Sequence, residues 1–332
     1  MNTKIFYGDE HPKALTYLEF GEINLEKQTK TVWEFQLHQK AYDWIMLPRY
    51  MNDILAYQDM LKVLGKVPDQ AIFDIYDREV HHADDASTHL SKLSGLAVAL
   101  DKSSDLSFYE LGQTLFGCID GMTFCQNLLK AKGIEFPSVQ LKEVQWYGVD
   151  ISEMFNRIAG VIHSDHHIVT MTDSALLPEA VDVFFAKGIS LLYVVRDITQ
   201  FFATIEKGEC SIFDYSFSFA DVVDTTIGSG KTVRYLPIEE FLQAYAGRGR
   251  KMFVNERNSR FIPETERLWV DCIYASEDVC AQYTAMDTRI RRELEERFAA
   301  IDNATRFLNG RQATQWVPVE EFIERIRAAR TK

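Results

Sequence analysis

Two stretches of the sequence put carboxylates and glycines where ligand chemistry is done at strand ends. In Ser107-Phe-Tyr-Glu-Leu-Gly-Gln-Thr-Leu-Phe-Gly117, a β-rich run closes on Glu110 and Gly112, and a second glycine, Gly117, opens a helical stretch. In a doubly wound sheet the first strand-to-helix crossing faces the ligand crevice. Glycine there lets the backbone approach a nucleotide-like ligand closely. In Trp146-Tyr-Gly-Val-Asp-Ile-Ser152 the next β-rich run ends on Asp150. A carboxylate at that tip is placed to accept both hydroxyls of a ribose.

Histidines form a second constellation. His81-His82-Ala-Asp84-Asp85 and His163-Ser-Asp165-His166-His167 each mix imidazole with carboxylate, a donor set that suits Zn²⁺ or Fe²⁺. The spacing fits no metal motif. Neighbours on a strand face opposite ways, so His166 and His167 would not share one ion if they open a strand. His81 and His82 precede the first crevice strand, and an imidazole held over the crevice would take a proton from an attacking hydroxyl or amine. Arg49 and Tyr50 follow Pro48 at a break in a helical pattern and are expected to line a substrate pocket. Gly228-Ser-Gly-Lys-Thr232 lacks the first glycine of a phosphate loop, since Thr225 stands there, and reads as a turn. The basic stretch Gly247–Arg260 reads as a solvated loop.

Three regions must position these groups. Residues 1–105 read as a mainly helical N-terminal cap, after a short strand at Lys4–Tyr7. Its helical pattern covers Thr31–Leu64, where Pro48 is expected to end or kink the first helix and Met51–Leu64 forms the clearer one. Asp84, Asp85 and Ser87 are candidate caps for a helix running to Leu100. Residues 106–245 alternate short apolar runs with amphipathic stretches, the signature of βαβ units. Strands are expected at Leu106–Leu111, Trp146–Val149, His167–Met171, Val181–Ala186 and Cys210–Tyr215. Residues 246–332 read as a helical C-terminal extension, with a solvated helix over Asp287–Leu308 and a last helix after Pro318. That extension is expected to cover the sheet edge or form a homodimer contact.

The ordered set of strands resembles the class I S-adenosylmethionine-dependent methyltransferases. "YELG…G" looks like a variant of their first motif and "YGVDIS" like their second. Thr170–Val194 is similar to their third and fourth strands, and Gly208–Phe217 to the fifth. The resemblance covers Leu106 to Phe217. It implies an α/β Rossmann-like doubly wound sheet with S-adenosylmethionine as cofactor. Glu110, Gly112 and Gly117 would line the methionine portion. Asp150 would bind the ribose, Ile151 would lie against the adenine, and Asp173 would reach its amine. Ala186, Lys187 and Gly188 would form the loop where the fourth strand meets the substrate, and Tyr193 would orient the acceptor. Thr114 and Phe116 stand where the family's first motif has glycines, with Thr114 kept in the expected cofactor loop. Glu110 and Asp150 lie about twice as far apart as the roughly 20 residues of a usual first crossing, and Gly133–Gln145 looks like an insertion.

Composition narrows the function. The 332 residues carry a net charge of −13, against a surface built for nucleic acid or anionic membrane. The most apolar stretch, Val181–Val195, is too short to span a bilayer and is interrupted by Asp182 and Lys187. The N-terminus lacks a signal-peptide core, which suggests the cytoplasm. The five cysteines include no C-x-x-C pair and read as ordinary thiols. The leading expectation is methyl transfer to an oxygen or nitrogen of a small-molecule acceptor, with His82 or His81 as general base. The alternatives are a methyltransferase-like fold acting as a non-catalytic binding protein, and a metal-dependent enzyme using the His81/His82 and His163/His166/His167 clusters.

Overall fold

A computed structural model describes residues 32–80, 85–103, 105–150, 152–172, 178–187, 190–220, 224–226, 232–301, 304–307 and 315–330. The expected strand at Lys4–Tyr7 lies outside them.

Helix α1 (Val32–Val63) opens the described chain and α2 (Asp69–Glu79) follows. The expected helix end at Pro48 needs correcting: α1 runs through it. Proline removes one backbone donor and frees the carbonyl four residues earlier. Here Pro48 and Trp44 are both exposed, so the freed carbonyl is not sealed in the core and the helix continues. Helix α3 (Ala86–Ala99) starts on Asp85, whose carboxylate accepts from Thr88 N–H at 2.8 Å. That is the capping expected of an Asp placed one residue before the first turn.

All five expected crevice strands are present: β1 (Ser107–Leu111), β2 (Gln145–Val149), β3 (His167–Met171), β4 (Val181–Ala186) and β5 (Gly208–Ser218). They pair in parallel in the order β3-β2-β1-β4-β5. This is the doubly wound, Rossmann-like arrangement, with the order reversing between β1 and β4. Helices α4 (Cys118–Ala131), α5 (Glu153–Ile162), α6 (Ser190–Val194) and α7 (Ile198–Ile205) lie between them. The expected insertion after α4 is an extended segment packed inward by Ile134, Val139 and Leu141. Gln126 clamps Val139 by accepting its N–H and donating to its carbonyl.

The C-terminal third corrects the expectation of a purely helical extension. After the short strands β6 (Asp224–Thr226), β7 (Thr232–Arg234) and β8 (Leu236–Pro237) and helix α8 (Ile238–Tyr245), the chain forms β9 (Lys251–Asn255), β10 (Arg260–Ile262) and β11 (Arg267–Ala275). Strand β11 pairs antiparallel with both β5 and β9, and so lies between them. The stretch read as a solvated basic loop therefore contains a sheet strand, with Met252 and Val254 fully buried. Its cations turn outward: Arg248 pairs with Glu206, and Arg250 lies 3.7 Å from Glu209. Helix α9 (Glu277–Phe298) is not solvated all round either. Asp287 and Arg291 are buried, and the guanidinium bonds Asp287, the Ser87 carbonyl and Ser91 Oγ. A short α10 (Ala304–Phe307), edge strand β12 (Trp316–Pro318) and α11 (Val319–Arg330) complete the chain.

One apolar core fills the face of the sheet under α2, α3, α4 and α9, around Phe108, Trp146, Val183 and Ile212. The other fills the face under α6, α7, α8 and α11, around Phe184, Phe213, Phe217 and Phe241. A sheet covered on both faces needs near-continuous apolar strands, which explains Val183-Phe-Phe-Ala186. Among the described residues no helix is long and apolar enough to cross a membrane.

Candidate active site

The carboxyl ends of β1, β2 and β4 meet where the strand order reverses, and a ligand crevice is expected at that point. Three expected site residues converge there: Gly112 just beyond β1, Asp150 just beyond β2, and Lys187 just beyond β4.

Gly112 has φ +76°, a backbone state that costs glycine nothing. Its N–H donates to the Val149 carbonyl at 2.7 Å, which ties the first turn to β2. The next residues do something unusual. Thr114, Leu115 and Phe116 form a short left-handed turn with φ of 32°, 66° and 52°. Each such non-glycine residue costs roughly 1–2 kcal/mol. Burial of Leu115 and Phe116 offsets this, since both are fully inside. Gly117, expected in the cofactor loop, is the residue before α4 and packs against Ile54.

Asp150 is partly exposed. One carboxylate oxygen accepts from Ser152 N–H at 2.8 Å, a turn that fixes the side chain at the strand tip. Ser152 in turn caps α5 through Phe155 N–H and donates to Asp43 on α1 at 2.6 Å.

Glu110 has a different setting from the one the resemblance implies. It lies on β1, 3% exposed, facing the α3 side. Its Oε1 is 2.6 Å from Lys92 Nζ and its Oε2 accepts from Cys118 Sγ at 3.1 Å. Both oxygens are thus engaged inside the protein. Nothing local in the sequence marked Lys92 as this partner; a lysine on an otherwise apolar helix face was the available signal.

Lys187 pairs with Asp271 on β11 at 2.7 Å. Asp271 stands directly opposite Asp214 of β5, and both are buried. Sequence reasoning missed these two carboxylates, because only the pairing of β5 with β11 brings them together. Asp85 at the start of α3 also feels the Lys187 charge, although desolvation is the larger effect and raises its pKa. Lys187 at the tip of β4 is thus tied to a buried acid of β11. Ala186, at the end of β4, is fully buried.

His81, His82, Ile151, Asp173 and Gly188 lie outside the described residues, and Tyr193 belongs to α6 with only its backbone described. Arg49 and Tyr50 are mid-helix in α1; the Tyr50 ring meets Phe155 edge-on at 5.4 Å. Among the described residues no group of three metal-ligating side chains converges. His163 is buried beneath the left-handed turn, with Nε2 3.1 Å from the Leu115 carbonyl. Desolvation first, and then the neighbouring His166, lower its pKa to about 4. His166 bonds Asp165 at 2.9 Å, and His167 opens the edge strand β3. Gly228-Ser-Gly-Lys231 is outside the described residues, and Thr232 starts strand β7 (Thr232–Arg234), paired with β6 (Asp224–Thr226). A phosphate loop would open a helix there instead.

The strand order defines a Rossmann-like α/β protein whose switch point lies between β1 and β4. No protein-family model and no curated protein sequence matches the chain. Several solved structures are similar to it. The CcbJ methyltransferase from Streptomyces caelestis is 13% identical, with 62% of this chain and 96% of that one covered and a TM-score of 0.35. An S-adenosylmethionine-dependent methyltransferase from Clostridium acetobutylicum is 12% identical over 61% and 96%, with a TM-score of 0.35. The plantazolicin methyltransferase BamL, in complex with a triazolic desmethylPZN analog and SAH, is 11% identical over 70% and 98%, also with a TM-score of 0.35.

Proposed function

We propose that the protein transfers the methyl group of S-adenosylmethionine to an oxygen or nitrogen of a small-molecule acceptor. The observation that carries this reading is that Asp150 follows Val149 at the tip of β2, whose carbonyl accepts from the positive-φ Gly112 at the tip of β1. A carboxylate there suits the two ribose hydroxyls, and the positive-φ glycine leaves room for the rest of a nucleoside beside it. When bound, S-adenosylmethionine supplies a methyl carbon on a sulfonium, so the acceptor lone pair forms the new bond while the old pair stays on sulfur.

The chain's own work is then positioning and proton removal. Asp150 holds the nucleoside, and Ser152 and Asp43 hold Asp150 in place. Lys187, with Asp271 and Asp85 beside it, faces the acceptor end of the crevice. His82 or His81 takes the acceptor proton; they precede Asp85, the residue that starts α3. Titration calorimetry with S-adenosylmethionine and S-adenosylhomocysteine tests the reading. Micromolar binding of both, lost on Asp150→Ala, supports it. Folded protein that binds neither overturns it.

A further inference from the structure

The left-handed turn after β1 contains no glycine at Thr114, Leu115 or Phe116, and yet it sits where a nucleotide loop must keep its shape. A chain of buried side-chain amides runs from this turn to the tip of β2. Phe116 N–H is shared between the Gln113 carbonyl and Gln113 Oε1, each at 2.9 Å. Gln113 Nε2 donates to Asn156 Oδ1 at 2.8 Å. Asn156 Nδ2 donates to the Asp150 carbonyl at 2.9 Å and to the Met171 carbonyl at 3.2 Å.

The backbone partners fix both amides. Gln113 Oε1 must accept from an N–H, so its nitrogen points at Asn156. Asn156 nitrogen must donate to two carbonyls, so its oxygen points back. Every member has one allowed orientation. Gln113 is wholly buried and Asn156 is 7% exposed, so water does not compete. Gly148 on β2 completes the arrangement. A Cβ there would lie 2.3 Å from Phe116 Cζ and 2.7 Å from Gln113 Cγ, so only glycine lets the turn press onto the strand.

We propose that Gln113 and Asn156 are positioning residues that hold the β1 loop in register with Asp150, replacing with side-chain hydrogen bonds the rigidity that the turn's backbone lacks. The inference rests on the proposed nucleoside site, because its consequence is a coupling between two halves of one ligand. The loop faces the part of the ligand beyond the ribose, whereas Asp150 faces the ribose itself. Removing the Gln113 amide therefore frees the loop and leaves Asn156 donating to the Asp150 carbonyl, so the ribose contact stays in place.

The test uses the full chain with Gln113→Met and Asn156→Leu, singly and together. Each removes the amide and keeps the side chain near its original size. Loss of one buried hydrogen bond is worth roughly tenfold in affinity. The expected result for Gln113→Met is S-adenosylhomocysteine binding weakened about tenfold with adenosine binding changed less than about twofold, whereas Asn156→Leu and the double variant also strip the Asp150 and Met171 carbonyls of their donor and weaken both ligands. Hydrogen exchange of residues 111–117 without ligand should speed up in all three variants. Exchanging the pair, Gln113→Asn with Asn156→Gln, should recover most of the S-adenosylhomocysteine affinity. Equal losses for the two ligands in Gln113→Met, or unchanged exchange in residues 111–117, overturn the positioning role. Wild-type protein that binds neither ligand removes the nucleoside site, and this inference with it.

Discussion

Lys92 Nζ lies 2.6 Å from Glu110 Oε1, and neither side chain reaches solvent. The lysine also sits 4.4 Å above the Phe185 ring. A buried ion pair gains little over an apolar pair of the same shape, but half of one is costly. Lys92→Met should therefore destabilise the protein by about 3–5 kcal/mol in urea unfolding. Lys92→Met with Glu110→Gln should recover much of that loss, because a neutral amide needs no counter-charge. A loss under about 1 kcal/mol in the single variant would mean the charges are not sealed from water.

The left-handed turn separates strain from packing. Thr114 is half-exposed, so Thr114→Gly removes the backbone penalty and little else. It should raise stability by about 1 kcal/mol, a few degrees in melting temperature. Phe116→Gly relieves the same strain but empties a site against Trp146 and Phe108. Loss of a buried Phe costs about 3–5 kcal/mol, so this variant should melt lower. A lower melting point for Thr114→Gly would show that the turn is not strained.

Gly148→Ala should lower both stability and nucleoside affinity. Its Cβ collides with Phe116 and Gln113, and the turn must shift off β2. The control is Gly160→Ala on α5, where a Cβ meets nothing within 4 Å. That change should be neutral or stabilising by up to about 1 kcal/mol, since Ala favours helix. Melting curves and calorimetry of the two variants side by side check the contrast.

Acid should act through His163. Its pKa falls from about 6.5 to about 4 in the fold, so the native state refuses a proton that the unfolded chain takes. The stability from neutral His163 is complete above about pH 6.5, is lost as pH falls toward 4, and changes no further below. The loss is on the order of 3 kcal/mol. Asp165, held low at about 2 by Lys142 and His166, gives up its contribution in a separate window below the usual carboxylate range. His163→Gln should flatten the stability–pH curve between 6.5 and 4 and leave the lower limb in place. An unchanged slope there would remove His163 as its source.

The parallel core was legible because its inner strands, such as β1 and β4, are short apolar runs bounded by polar turns, and burial on both faces demands that pattern. Asp150 was legible too, as an acid ending such a run. What escaped were features made by pairing across long stretches of chain. Lys251–Asn255 was hidden by Arg248 and Arg250, which look like loop cations until their outward partners Glu206 and Glu209 are in place. Arg267–Ala275 is nine residues rich in β-formers and could have been read as a strand. Asp214 and Asp271 meet only because β5 and β11 pair. Gln113 and Asn156 are 43 positions apart, and no local spacing marks an amide pair. Pro48 misled because a proline on an exposed stretch of a long helix need not end it.

The position of β11 between β5 and β9 sets the order of events during synthesis. Strands β1 to β5 leave the ribosome first and can align with one another. The long free side of β5, from Cys210 to Ser218, then waits for residues 267–275, which are made after β9. Throughout that interval a nascent chain carries an uncovered, largely apolar strand border, the kind that pairs with other chains. Truncations that end between Ser218 and Arg267 should therefore aggregate rather than yield a smaller soluble domain, and pauses in translation over that stretch would prolong the same exposure.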